Sequence, residues 1–379
     1  MFVVNIINSI IGKPGNIGYR FSYVQEEQIA KDFDFITVAR GNILKHTKNI
    51  FSLGVFSFIP RGLHYLRRNY FKNLNTRKAD MLLFEFFFIL LLPYIYLKSR
   101  THNKKVAYVI ETSPFIIKTL LRMGFRIVLD IPIAPNNYVK KAIDNYQTQE
   151  LVYHSYLDQR EQLCFQLSDL ILVPSDFVYD EVVEFVDKQK LKIIPFGSVQ
   201  KPFNSKRMGS SQKDGIDFVF AGNVSSRKGV NFLLDAWCGP EFKNDRLHLC
   251  GNVTKEIKNK LATLPVTNIL LPGFVSTAIY FNECDVYIFP SLMEGSSKSV
   301  YEAMASSLPC IVTFQSGSVI EHEVDGLIVN AFSSVEVKKA MLKIKTMNLA
   351  ELSKNAHNKS KNFTWEKYID QVMKALNNE

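Results

Sequence analysis

Cysteine is scarce and unpaired in this chain of 379 residues: Cys164, Cys238, Cys250, Cys284 and Cys310 lie singly in apolar segments, with no C-x-x-C pair. That pattern excludes a disulfide framework and a zinc ribbon, and fits reduced core thiols in a cytosolic protein. The dinucleotide fingerprint G-x-G-x-x-G is also missing where it would be expected. The loop after the opening strand has Gly12, Gly15 and Gly18 in IGKPGNIGYR, and the next strand, FDFITVAR, ends in Arg40 instead of the acid that holds the ribose of NAD. A nicotinamide dehydrogenase is therefore disfavoured. The N-terminal MFVVNIINSI lacks a charged region and a small-residue cleavage site, so it is expected to be a first strand and not an export signal. No nucleic-acid motif and no long basic helix is present, which ranks nucleic acid last among anionic partners.

What is there is a globular composition, 47% hydrophobic, 22% charged and 12% aromatic, with a net charge of +10. The length exceeds one ordinary core and suits two domains with a cleft between them. The positive balance points to anionic partners, of which a nucleotide diphosphate and a phospholipid surface remain. Apolar strands alternate with helices throughout, the pattern of parallel α/β sheets. In the first half, a helix is expected over 22–31 and 113–123, with strands VAYVIE at 106–111 and RIVLDIP at 126–132. Asp130 closes the last of these at the edge where ligands collect; it either orients a hydroxyl of a ligand or only forms a turn before Pro132. The polar run QKPFNSKRMGSSQKDG is the best linker in the chain. The expected division is 1–200, a linker at 201–215, a second α/β domain at 216–361, and a terminal helix at 362–379.

Between residues 50 and 105 the composition shifts. FSFIPRGLHYLRRNYFKNLNTRKAD interleaves aromatic and basic residues with no acid before Asp80, as at an anionic membrane interface. The run MLLFEFFFILLLPYIYL at 81–97 follows, at the lower limit of about 17 residues for a span and containing Glu85 and Pro93. It is read as a span, as an ordinary buried helix, or as a surface that dips into a bilayer, making 58–97 the candidate membrane contact.

The most informative stretch is CDVYIFPSLMEGSSKSVYEAMASSLPCIVTF at 284–314. It reads as a buried strand at 286–289, a loop carrying Glu294, Gly295, Ser296 and Ser297, a helix over 298–306, and a buried strand at 310–314. Ligands of such sheets sit beyond the carboxyl ends of the strands. The free N–H groups at the helix start, near Ser296, Ser297 and Lys298, suit a phosphate. Glu302 would stand roughly 7 Å into the helix, within reach of a ligand resting there. The alternative is that Glu302 is a solvated helical glutamate and Glu294 a cap. A second loop, NVSSRKGV, joins a buried strand to a helix and presents Arg227 and Lys228, which by themselves fit a solvated surface as well as an anion site.

Glu-x7-Glu after a strand ending Phe-Pro-Ser, followed by EAMASSLPCIV, resembles the donor-site signature of glycosyltransferase family 4, retaining enzymes of the GT-B fold. The resemblance is close over about 169–330 and at Phe363-Thr364-Trp365, and poor over 50–105. It implies two Rossmann-like domains facing across a cleft and a terminal helix that crosses back onto the first. It further implies a nucleotide diphosphate sugar donor, UDP- or GDP-linked, and a glycan or lipid-linked glycan acceptor in cell-surface polysaccharide synthesis. The enzyme would be peripheral on the cytoplasmic face of a membrane.

Carried onto this chain, the resemblance puts Arg227 and Lys228 on the diphosphate, Glu302 on the ribose and Glu294 on the donor sugar. Gly222, Asn223, Gly251, Phe274 and Val275 would flank the nucleotide, and Gly15 and Asn16 would face the cleft. No metal or cofactor is expected, the basic loop standing in for a divalent cation. The chain departs from the pattern in three places. Ser296-Ser297 replaces Phe-Gly, Asn223 stands where many relatives have Arg, and Pro135-Asn136 stands where a His-Pro pair is common. Glu161 and Ser168-Asp169 fit the family's last N-domain unit in a structural role. The rival readings are an inactive membrane-surface protein of the same fold, or another sugar-nucleotide enzyme such as an epimerase or phosphorylase.

Overall fold

The computed structural model describes residues 1–13, 17–44, 48–54, 62, 65, 70, 76–146, 150–202, 204, 215–265 and 267–378. Gly15, Asn16, most of the basic and aromatic stretch 58–75, and most of the linker 201–215 lie outside the described residues.

The first unit runs β1 (Phe2–Ile11), α1 (Ile17–Ala30), β2 (Asp34–Asn42), β3 (Ile50–Ser52), α2 (Thr76–Ser99), β4 (Lys105–Val109), α3 (Pro114–Arg122), β5 (Arg126–Asp130), α4 (Asn136–Asn145), α5 (Ser155–Leu167), β6 (Leu170–Val173), α6 (Asp176–Val182) and β7 (Leu191–Ile193). These strands form one parallel sheet in the order β3-β2-β1-β4-β5-β6-β7. Strand β1 reads as a continuous apolar run because both of its faces are covered. Val4 and Ile6 enter one core cluster, and Ile7 and Ile11 another. The chain leaves β1 toward β2 and returns on its other side at β4, so the crevice at the switch point opens beyond the ends of β1 and β4.

The second unit runs β8 (Asp217–Ala221), α7 (Val230–Trp237), β9 (Arg246–Cys250), α8 (Lys255–Leu261), β10 (Ile269–Gly273), α9 (Thr277–Glu283), β11 (Val286–Phe289), α10 (Lys298–Ala305), β12 (Cys310–Thr313), β13 (Gly326–Val329), α11 (Ser334–Thr346) and α12 (Leu349–Ser360). Its sheet is parallel in the order β10-β9-β8-β11-β12-β13, with the switch between β8 and β11. The chain therefore folds as two facing Rossmann-like domains. None of the five cysteines forms a disulfide.

Two helices differ from the sequence expectation. Helix α1 starts at Ile17 and not at residue 22. Gly18 sits in its first turn, where a Cβ would lie 2.0 Å from the Ile10 carbonyl oxygen, so close packing on β1 overrides the low helix propensity of glycine. Helix α2 extends beyond 81–97 at both ends.

The last helix, α13 (Trp365–Asn377), lies on the first sheet, where Trp365, Tyr368 and Val372 join Phe21, Tyr108 and Val128 in one core. A buried polar group fixes it there. Arg20 of α1 pairs with Asp130 at 3.0 Å and donates to the Tyr368 hydroxyl at 2.8 Å, and the Tyr108 hydroxyl donates to Asp130. Burial works against the Arg20 charge, but the Asp130 carboxylate more than restores it; burial and that same carboxylate push the Tyr108 phenol well up. Asp130 is only 3% exposed. It ends its strand without turning, and its contacts are spent inside the fold, as an anchor for the terminal helix. Asp130→Asn should leave Arg20 as a buried charge without its counter-ion and destabilise the fold by about 3–5 kcal/mol in urea unfolding.

Candidate functional site

The carboxyl ends of β8 and β11 give rise to the loops 222–229 and 290–297, which meet at the switch point. Gly229 lets them meet: it adopts φ 72°, and a Cβ there would stand 1.8 Å from the Pro290 carbonyl oxygen. The Leu292 N–H donates to the Arg227 carbonyl at 3.0 Å, and the Arg227 guanidinium donates to the Met293 carbonyl at 2.8 Å.

At the centre stands Glu294. Its Oε1 accepts from Arg227 at 3.0 Å, from the Ser291 hydroxyl at 3.0 Å, and from Lys228. Burial alone would raise its pKa, but Lys228, Arg227 and Ser291 hold the carboxyl below its ordinary range. Burial lowers the pKa of Lys228 against the pull of Glu294, and its ammonium lies 5.1 Å from the centre of the Phe289 ring. The resemblance assigned Arg227 and Lys228 to a diphosphate and Glu294 to a sugar; in the structure these three side chains bind one another.

Helix α10 follows directly. Glu302 pairs with Lys298 at 3.0 Å across one turn, and Lys298 lies 5.4 Å from the ring centre of Tyr19, on α1 of the other domain. Ser296 exchanges a 2.6 Å hydrogen bond with Tyr301, and Ser297 a 3.1 Å bond with Ser299. Gly222 follows β8 and donates to the Cys250 carbonyl at 2.9 Å, next to Gly251. Asn223 is exposed, and Phe274, 87% exposed, stands beyond β10, whereas Val275 packs on the core.

The first domain is seated on both loops. Ser175 donates to the Gly295 carbonyl at 2.6 Å, and Tyr138 to the Leu292 carbonyl at 2.9 Å. A Cβ on Gly295 would lie 1.9 Å from the Pro132 carbonyl oxygen, so only glycine permits this approach. Glu150 accepts from the backbone N–H groups of Ser226 at 3.3 Å and Arg227 at 2.9 Å. The N–H groups of the basic loop therefore already bind carboxylate oxygens.

Beyond the ends of β1 and β4 the first domain has a cavity of about 290 Å³, lined among others by Arg40, Arg77, Asp80, Glu111, Asp130 and Glu161. Of these the sequence marked only Asp130 as a ligand-side residue. Glu111 ends the run VAYVIE, and an acid at the end of a buried strand was the available signal. Burial pushes Glu111 up to about 7 against the opposing pull of Arg160 and Arg77. Burial likewise pushes Glu161 up to about 7, although its carboxylate accepts from the Asn136 N–H at 2.7 Å. The cavity thus places two carboxyls whose pKa burial raises beside two arginines.

An acid whose pKa is raised on folding stabilises the fold below its unfolded pKa, and that contribution is lost as pH rises through the folded value. Between pH 5 and 7.5 the parent should therefore lose thermal stability relative to Glu111→Gln/Glu161→Gln, whose amides do not titrate. Parallel unfolding curves of the two proteins across that range would contradict the assignment.

Residues 215–346 match the family model described as glycosyl transferases group 1. The alpha-monoglucosyldiacylglycerol synthase of Acholeplasma laidlawii is 25% identical over 225 residues, 52% of this chain and 55% of that protein. The MMP alpha-(1->4)-mannosyltransferase of Mycolicibacterium hassiacum is 26% identical over 217 residues, 53% of this chain and 51% of that protein. The chain spans about half the length of these curated relatives. Among solved structures, sucrose-phosphate synthase from Thermosynechococcus elongatus superposes with a TM-score of 0.71 at 15% identity, over 100% of this chain and 99% of that one. Anabaena HepE in complex with UDP does so with a TM-score of 0.65 at 14% identity over the whole of both chains. The chain has the GT-B glycosyltransferase fold, and its second domain carries the glycosyl transferases group 1 match.

Proposed function

We propose that the protein is a retaining glycosyltransferase that moves a sugar from a nucleotide diphosphate donor to a hydroxyl of a glycan or lipid-linked glycan. The observation that carries this reading is the convergence of Arg227, Lys228 and Glu294 beside the start of α10, at the switch point of the second sheet. HepE binds UDP and UDP-glucose at the same fold, which supports a nucleotide sugar donor here. The name of the Acholeplasma synthase supports a lipid-linked acceptor.

On this reading the bond between the sugar C1 and the diphosphate oxygen breaks while the acceptor oxygen bonds to C1 on the same face. The acceptor proton passes to the departing diphosphate, so no side-chain base is required. Arg227 and Lys228 take up the charge that develops on the leaving group, Glu302 accepts from the ribose hydroxyls, and Glu294 orients the sugar. The two cations do the work of a divalent ion, and the enzyme acts in surface polysaccharide synthesis, peripherally on the cytoplasmic face of a membrane.

Arg227→Ala/Lys228→Ala should lower turnover by about 10²–10³-fold, read per folded molecule, because it also strips the buried Glu294 of both counter-ions. Glu302→Ala should weaken donor binding by roughly 10- to 100-fold. Thermal shifts with a panel of nucleotide sugars, followed by transfer assays with and without chelator, check both. Unchanged transfer by either variant would refute the site, and loss of transfer with chelator would refute the metal-free scheme. Absence of any nucleotide-sugar shift would favour an inactive protein of the same fold.

A further inference from the structure

Helix α2 is apolar on two opposite sides. Each residue turns the helix by about 100°, so Met81, Phe84, Phe88 and Ile95 form one stripe; all are buried, and Phe84, Phe88 and Ile95 belong to the first domain's core. Leu82, Phe86, Leu90 and Leu97 form the opposite stripe and are 53%, 56%, 54% and 55% exposed. That stripe runs roughly 22 Å along the helix. A surface helix normally turns polar side chains to water, and a contiguous apolar strip marks a contact surface.

Charge identifies what it contacts. The acids of α2 both point inward: Asp80 lies 3.2 Å from Arg40, and Glu85 lies 2.6 Å from Arg160 and accepts from the Ser113 hydroxyl at 2.6 Å. The exposed charge along 76–104 is all cationic, with Arg77 and Lys78 before the stripe and Lys98, Arg100 and Lys104 after it. A second copy of the chain, packed along this helix in either direction, would set these cations against their equivalents. An anionic bilayer would set phosphates against them, with acyl chains against the stripe between. The buried stripe and the Glu85 pair hold the helix in its domain, so it cannot leave to span a membrane.

We infer that α2 lies in the plane of an anionic bilayer, its Leu82–Leu97 stripe in the acyl boundary and the cations at its two ends on the headgroups. Arg77, Asp80 and Met81, at the start of α2, also line the cavity that holds Glu111. The acceptor is then an amphiphile anchored in the same bilayer. This last step rests on the transferase reading.

Flotation through a density gradient with phosphatidylglycerol-containing vesicles, against phosphatidylcholine alone, tests the surface. The parent should float with the anionic vesicles only. Lys98→Glu/Arg100→Glu should reduce the bound fraction by about tenfold or more, as should Leu82→Glu/Phe86→Glu/Leu90→Glu. Unchanged thermal shifts with a nucleotide sugar would show that the variants remain folded. Trp237 and Trp365 are buried, so Leu90→Trp adds a reporter whose emission should shift to the blue on vesicles even if the triple variant fails to fold. The inference is overturned if the parent stays in the dense fraction with anionic vesicles, if the charge-reversed variant floats as well as the parent, or if Leu90→Trp emission does not move. It is also overturned if the parent is a dimer that Phe86→Glu splits. Vesicle binding without any nucleotide-sugar shift would sink the transferase reading and leave the surface standing.

Discussion

A single carboxylate oxygen, Oε1 of Glu294, joins the two loops on which the second domain's site is built. It accepts from Arg227, Lys228 and Ser291. A buried carboxylate is costly unless it is paired and hydrogen-bonded, so these donors fix where Glu294 can lie; in turn, Glu294 gives the buried Lys228 its counter-ion. The trio carries a net charge of +1. Lys298 and Glu302 beside it neutralise each other. On the transferase reading, an incoming diphosphate would therefore exchange partners with cations held in place by Glu294, instead of drawing flexible lysines in from water. Preorganisation of this kind is where electrostatic stabilisation is strongest.

The same loops hold the first domain. Gly295 presents its carbonyl to Ser175 and its missing Cβ to Pro132, while Leu292 presents its carbonyl to Tyr138. Glu150 accepts from two N–H groups of the basic loop. Any opening of the cleft must break these contacts, which fall on the same two loops that carry Arg227, Lys228 and Glu294. Glu150 also demonstrates the chemistry of the loop, since its carboxylate occupies N–H donors that an anionic ligand could take over.

The sequence was most informative where the signal is local. The strand, loop, helix and strand of 284–314 fall within a residue or two of their observed bounds, because apolar runs and the glycine and serine loop follow one another along the chain. Glu294 and Glu302 could be singled out for the same reason. The partners that define Glu294 were legible only as a basic pair in a distant loop, and nothing local says that they meet it. The Arg20, Tyr108, Asp130 and Tyr368 group joins four segments, so Asp130 could be read only from its place at a strand end. Gly18 concealed the start of α1, because helix propensity carries no information about a backbone packed against the Ile10 carbonyl. The cavity acids Glu111 and Glu161 come together only when the segment after β4 and helix α5 meet at the cavity.

Helix α2 sets the limit of composition as a guide. Its two apolar stripes are equally hydrophobic in the sequence, so either could have faced the core. What decides between them is charge. Glu85 lies next to the buried stripe, and its carboxylate is held by Arg160 and by Ser113, which also caps α3. Turning the helix to bury Leu82, Phe86 and Leu90 would carry Glu85 away from both partners and leave Arg160 partly buried beside the hydrophobic core without its counter-ion. That exchange is unfavourable by the same reasoning that fixes Glu294, because a charge taken out of water must keep its partner. The inward acids thus hold the outward apolar stripe in place, and the exposed leucines and phenylalanine are a consequence of an ion pair on the other side of the helix.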